Sequence, residues 1–363
     1  MGAPAGGHGP RMLAWRTHAY GPPTEALVLD TVPVPDPGPG EVRVAVQAIP
    51  LNLNDLERVT GGNMMVRPEL PYSPGMEVMG TVEACGSGAE AWRGRRVVAM
   101  TSGAHGGFAE YALCPAASAY DMPETIPLPG AAALYFPFHL AWLGLFDRAG
   151  LKAGESVLVH AAAGGSGSAA VQLAVHAGAR VFATAGGEEK VRLCRQLGAH
   201  VAIDYTTEDF APVVLGETGN RGVDVVFDNV GESVMEKSLA CTAYNGRYLM
   251  MGFASNKVVA DEPFVVPRRV ALGNVKLCGV LLAYQPPEVV EMVKTAMGWN
   301  FAPAELGERI MGEVVDLVLG GALRPVVGRV IGFDEIPTAL DAMARRDTVG
   351  RIVAVLDAPG ASG

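Results

Sequence analysis

Within residues 157–179, VLVHAAAGGSGSAAVQLAVHAGA, an apolar run enters a glycine-rich turn and leaves it as an alanine-rich stretch of helical composition. Gly165-Ser166-Gly167-Ser168-Ala169-Ala170 fits the pattern G-x-G-x-x-G/A. The first glycine admits a tight turn, the second lets backbone approach a phosphate, and a small third residue lets helix and strand pack closely. A helix starting at this turn directs unpaired N–H groups toward an anion. The chemistry indicated is dinucleotide pyrophosphate binding, with Ala163, Gly164, Gly165, Ser166 and Gly167 as the expected contacts.

The following segment selects between nicotinamide cofactors. Residues 180–185 read as the next strand, and roughly 20 residues past the glycines is where an NAD site places an acid on the ribose 2′-hydroxyl. Ala185-Gly186-Gly187 stands there instead. Glu188 and Glu189 read as acids at the positive end of a helix over 188–197. Gly186, Lys190 and Tyr205 are placed to accommodate a ribose 2′-phosphate, which needs a cation and hydrogen-bond donors; ordinary surface positions are the alternative for Lys190 and Tyr205. NADPH is the expected cofactor.

These residues need a scaffold. A chain of 363 residues has room for two domains with separate cores. From Met12 to about Phe136, short β-rich runs at 41–49, 75–84, 96–101 and 107–114 are broken by Pro and Gly, which predicts a compact barrel-like β domain. From Pro137 strands alternate with helices, the strands falling near 157–162, 180–185, 200–204, 223–228, 246–252 and 275–283. That alternation predicts an α/β fold with a doubly wound parallel sheet. A helical stretch over 287–320 follows, then 326–331, 336–345 and 351–356.

Composition narrows the function classes. The net charge is −10, with basic residues scattered rather than striped, so nucleic acid is not the expected partner. Mean hydropathy is +0.24, yet no apolar run is long enough to cross a bilayer, and neither a membrane nor a secretory address is expected. Residues 1–11, rich in Gly and Pro, read as a disordered tail, and a cytoplasmic location is the expectation. The five cysteines form no C-x-x-C pair and the seven histidines show no ligand spacing, which disfavours a disulfide framework and a structural metal site.

Taken together, Pro35–Val46 (PDPGPGEVRVAV), Asn52-Leu53-Asn54-Asp55, Pro74-Gly75-Met76-Glu77, Gly106–Tyr111 (GGFAEY), Gly154–Gln172, Gly222–Gly231 (GVDVVFDNVG), Asn245–Phe253 and Val349–Val353 resemble the zinc-independent quinone oxidoreductase branch of the medium-chain dehydrogenase/reductase superfamily. The resemblance spans nearly the whole chain beyond the tail. It implies a discontinuous GroES-like catalytic domain over 12–136 and 285–357, a Rossmann domain over 137–284, and cofactor bound between them. It also implies a homodimer paired through the strand that contains Cys278–Ala283.

The zinc enzymes of that superfamily hold their metal through a cysteine and a histidine whose positions correspond here to Asn52 and Met76, poor substitutes as ligands. No metal is expected. The acceptors that fit are quinones and α,β-unsaturated carbonyls, in which charge develops on an oxygen that a hydrogen-bond donor or water can stabilise. The expected pocket residues are Asn52, offering its amide, with Asp55 as organiser, and Tyr135 and His139; loop capping for Asn52 and core packing for the aromatic pair are the alternatives. Asn229, Val230, Gly252, Phe253 and Arg351 carry over by position as cofactor contacts. Two other functions remain open: reduction of enoyl thioesters on coenzyme A or an acyl carrier protein, and a cofactor-binding structural or RNA-associated role. Gly61-Gly62-Asn63-Met64-Met65 lacks the tyrosine that donates a proton in the thioester branch.

Overall fold

The computed structural model describes residues 9–62, 67–251 and 267–356. Contacts divide the chain into two units. One runs to Ala132 and resumes over Val330–Asp347 and from Ile352; the other comprises Ala133–Arg329 with Thr348–Arg351.

The first unit is β-rich. Strand β1 (Arg11–Thr17), the short helix α1 (Pro23–Ala26) and β2 (Leu27–Pro33) form a hairpin-like antiparallel pair. Arg11, placed in the expected tail, is instead paired with Pro33 in β2; residues 1–8 lie outside the described residues. Next come β3 (Glu41–Pro50), α2 (Leu53–Thr60), β4 (Glu77–Cys85), β5 (Arg96–Met100), β6 (Tyr111–Pro115) and β7 (Ala119–Asp121). Antiparallel pairing joins β3 to β4 and β6, β4 to β5, and β5 to β7. Alternation along β3 buries Val42, Val44 and Val46 on one face, in one core with Val78, Val82, Val97 and Phe108. Each such valine contributes about 1.5–3 kcal/mol relative to exposure. β4 and β6 begin later than the apolar pattern predicts, because residues 73–75 and 106–108 bond to each other across a loop instead of joining the sheet.

The second unit opens with α3 (Tyr135–Trp142), which runs into a π-helical turn over Leu143–Arg148. Strands β8 (Ser156–Val159), β9 (Arg180–Ala185), β10 (Val201–Asp204), β11 (Val223–Asp228), β12 (Thr242–Met250) and β13 (Lys276–Gly279) alternate with helices α4 (Gly165–His176), α5 (Glu188–Gln196), α6 (Phe210–Glu217), α7 (Glu232–Ala240) and α8 (Pro267–Gly273). They form one parallel sheet in the order β10-β9-β8-β11-β12-β13. The strand order reverses between β8 and β11, and in such sheets ligands bind beyond the carboxyl ends at that reversal. Leu158, Phe182, Val226 and Tyr248 pack its interior.

The single helical stretch expected over 287–320 is two helices. After β14 (Tyr284–Gln285), α9 (Pro287–Met297) ends at Gly298, whose left-handed φ of 72° closes it; β15 (Ala302–Pro303) and α10 (Ala304–Leu319) follow. The sequence reading returns the chain to the first unit at 285, whereas the structure keeps it in the second through Arg329. The reason is packing: Trp142 Nε1 donates to Glu313 at 2.9 Å, and the Gln172 side chain exchanges two bonds with the Arg324 backbone. Then β16 (Val327–Gly332), α11 (Ile336–Ala344) and β17 (Arg351–Val355) close the chain, with Val353–Val355 pairing antiparallel with β3.

Candidate functional site

The glycine turn is built on one strained residue. Ala161, two residues past β8, has φ of 50°, and its carbonyl accepts the Gly164 N–H at 3.0 Å. Gly164 caps α4, whose first residues are Gly165, Ser166 and Gly167. A Cβ on Gly167 would lie 2.2 Å from the Ala161 oxygen, so only glycine fits there. Ala169 and Ala170 are fully buried against the sheet. The C-terminal segment also reaches this turn: the Gly350 N–H donates to the Ala163 carbonyl at 2.7 Å, and the buried Arg351 lays its aliphatic stem against Gly165.

At the end of β9, Gly186 lies under the Tyr205 ring, and a Cβ there would come 2.6 Å from the Tyr205 hydroxyl. Tyr205 is 48% exposed, and half-buried Lys190 sits in the first turn of α5. Asp204, which the motifs did not single out, accepts the Gly187 N–H at 3.0 Å together with the Thr206 N–H and hydroxyl. These bonds, the Gly187 amide foremost, hold its carboxyl below the usual carboxylate range. At the end of β11, the buried Asp228 accepts the amides of Val230 and Gly231 and the Tyr248 hydroxyl, and Asn229 directs its side-chain amide at the His160 carbonyl. Burial raises the Asp228 carboxyl, against the lowering effect of those bonds. Gly252 and Phe253 lie outside the described residues.

Tyr135 and His139 are brought together on α3, their rings 4.7 Å apart and edge to face. Both are buried, and His139 Nδ1 lies 3.2 Å from the Tyr284 hydroxyl. Burial pushes the His139 ring down to about 3, so it is neutral at physiological pH.

Asn52 and Asp55 belong to the first unit, where Asn52 caps α2. The Asn52 N–H donates to Asp55 Oδ2 at 3.0 Å. Asp55, fully buried, also accepts the Met76 N–H and pairs with the buried Arg58 guanidinium at 3.4 Å. The Asn52 side chain takes the local capping position that the sequence reading set beside a pocket role. Its Nδ2 donates to the Pro50 carbonyl and to Glu77 Oε2, each at 3.2 Å, so both amide protons face protein oxygens. Glu77 is fully buried at the start of β4. Sequence reading missed this partner because 25 residues separate the pair. Close by, the Tyr72 hydroxyl donates to the Arg58 carbonyl and is pushed up to about 12, chiefly by burial.

The amide of Asn52 and the thioether of Met76 do not fit the thiolate and imidazole that zinc prefers. Among the described residues, no three His, Cys, Asp or Glu side chains are grouped to hold a metal ion.

Residues 38–124 match the model of the alcohol dehydrogenase GroES-like domain, and residues 165–297 match that of the zinc-binding dehydrogenases. Human quinone oxidoreductase is 33% identical over 242 residues, 66% of this chain and 73% of that protein. The 2-haloacrylate reductase of a Burkholderia species is 33% identical over 345 residues, 94% and 98% of the two chains. Among solved structures, mycobacterial Rv1454c complexed with NADPH superposes with a TM-score of 0.81 at 32% identity, covering 95% of this chain and 99% of that one. The fold is that of a medium-chain dehydrogenase/reductase, a GroES-like domain with a Rossmann domain. Within that superfamily the chain belongs to the quinone oxidoreductase branch.

Proposed function

We propose that the protein is an NADPH-dependent reductase that delivers hydride to quinones or α,β-unsaturated carbonyls without a metal. The observation that carries this reading is the pairing of a built dinucleotide turn, Ala161–Gly167, with an Asn52–Met76 donor set unsuited to zinc. The two named relatives act on a quinone and on a haloacrylate, acceptors that share a C=C bond conjugated to C=O.

When bound, NADPH supplies the hydride. The glycine turn and the start of α4 hold the pyrophosphate, and Arg351 flanks it. Gly186, Lys190 and Tyr205 receive the 2′-phosphate; the neighbouring Asp204 carboxylate is already engaged by Gly187 and Thr206. Asn229 and Val230, at the end of β11, complete the cofactor edge. Asp55 and Glu77 fix Asn52, while Tyr135, His139 and Tyr284 form the buried wall behind α3. A conjugated acceptor places its developing charge on an oxygen remote from the attacked carbon, where a hydrogen bond or water stabilises it without a Lewis acid, and the balancing proton comes from solvent. β13 is an edge strand with Leu277 exposed on it and Leu281 exposed just beyond its end, and we assign this edge as the homodimer seam.

The test is NADPH oxidation with 9,10-phenanthrenequinone, 1,4-benzoquinone, an alkenal, crotonyl-coenzyme A and an alcohol/aldehyde pair, with NADH and a chelator in parallel. Chelator-insensitive, NADPH-preferring turnover of the quinones or the alkenal is expected. Preference for crotonyl-coenzyme A would move the function to thioester reduction, and chelator-sensitive alcohol oxidation would overturn it.

A further inference from the structure

We infer that His160 is a positioning residue for the cofactor turn: its ring ties the end of β8 to β9 and α7, and so holds Ala161 in the backbone conformation on which the turn is built. This inference rests on the reading of the second unit as an NADPH site.

His160 is buried, with its Nδ1 2.9 Å from the Thr184 hydroxyl and its Nε2 2.8 Å from the Ser238 hydroxyl. The proton positions follow from the partners. Ser238 donates its one hydroxyl proton to the Val234 carbonyl at 2.7 Å, so it must accept from His160 Nε2–H. Nδ1 therefore accepts from Thr184. The ring is a neutral imidazole with both nitrogens satisfied, consistent with burial having pushed it down to about 3.

Each bond of the ring fixes a different cofactor-facing element. Thr184 lies two residues before Gly186, and its carbonyl also accepts the Ala162 N–H at 3.0 Å. The His160 N–H donates to Phe227 of β11, and the His160 carbonyl faces the Asn229 amide. Between the two anchored residues, His160 and Ala162, stands Ala161 at φ of 50°, a region that side chains other than glycine's rarely adopt and that persists only when the surroundings impose it. The Ala161 carbonyl receives the Gly164 N–H and packs against Gly167. Freeing the ring lets Ala161 relax and moves that carbonyl, and with it the amides that face the pyrophosphate.

The experiment is calorimetric titration of the full chain with NADPH, with thermal melting and steady-state kinetics alongside, for the wild type, Ser238→Ala, Thr184→Val and Thr184→Ser, and for the first two variants combined with Ala161→Gly. Ser238→Ala and Thr184→Val are expected to raise the NADPH Kd about tenfold, and KM for NADPH more than they change kcat. Thr184→Ser, which keeps the hydroxyl, should bind as the wild type does. Ala161→Gly should recover most of the lost affinity, because glycine takes the left-handed conformation without the ring's hold. A lowered Tm with unchanged Kd, or failure of Ala161→Gly to restore binding, would overturn the inference and leave the cofactor site standing. A wild type that does not bind NADPH would instead overturn the reading of the site itself.

Discussion

The amide of Asn52 and the carboxylate of Glu77 meet at 3.2 Å across the first unit, one on the cap of α2 and the other on the first residue of β4, with Glu77 fully buried and Asn52 only 7% exposed. Removing one partner leaves the other buried without its bond. Glu77→Ala is expected to lower stability by about 1–3 kcal/mol, and the double mutant with Asn52→Ala to lose less than the sum of the singles. Guanidinium unfolding of the four proteins in the cycle measures the coupling; additive losses would show that the pair does not act as one.

Asp55 and Arg58 form a buried ion pair at 3.4 Å, and Asp55 in addition satisfies the amides of Asn52 and Met76. Asp55→Ala strands the guanidinium and two N–H groups, and is expected to cost about 3–5 kcal/mol, near the whole margin of a typical domain. Asp55→Asn keeps two acceptor lone pairs and should cost clearly less. Equal losses in the two variants would contradict this account.

Gly167 and Gly186 separate two kinds of close approach. Alanine at 167 meets a backbone oxygen at 2.2 Å, which cannot give way, so NADPH affinity should fall by more than about tenfold. Alanine at 186 meets the far end of the Tyr205 side chain at 2.6 Å, which swings aside at small cost to the fold. Titration with NADPH should therefore rank Gly167→Ala as the more damaging.

Cofactor choice is tested at Lys190 and Tyr205. Lys190→Ala and Tyr205→Phe should each lower kcat/KM for NADPH by about tenfold while leaving that for NADH within about twofold. Parallel losses with both cofactors would assign the two residues to the fold or to the shared part of the dinucleotide.

Stability should fall in mild acid. His139 and His160 are each lowered by burial from 6.5 to about 3, so the unfolded chain takes up their protons first as pH drops. The stability they contribute is complete above about 6.5 and is lost progressively toward 3, with a slope of up to about 1.4 kcal/mol per pH unit for each ring. Unfolding midpoints at about pH 7, 6 and 5 measure the slope. His139→Phe should roughly halve it, and a flat profile would show that the rings are not held neutral.

What the sequence made legible is what local pattern encodes. The glycine turn, β9 over Arg180–Ala185 and β11 over Val223–Asp228 lie where the apolar runs and punctuation predict. Features set by distant partners were not visible. Glu77 gains its meaning from Asn52, 25 residues away, and His160 gains its meaning from Ser238, 78 away. Asp204 reads as an ordinary strand end until Gly187 folds back to it. The division of the helix expected over 287–320 was available in Gly298, whose placement after Lys294 and Met297 is a C-terminal signal. The later return of the chain at 330 was not, because it depends on Trp142 and Gln172 finding partners more than a hundred residues downstream.

The bond from Gly350 to Ala163 and the seat of Arg351 against Gly165 have a consequence in time. During synthesis the glycine turn emerges well before the segment that clasps it, because Gly350 and Arg351 follow it far along the chain. Until that segment follows, the nascent chain carries the turn unfinished. A turn in its finished form therefore reports that β17 has been delivered to it.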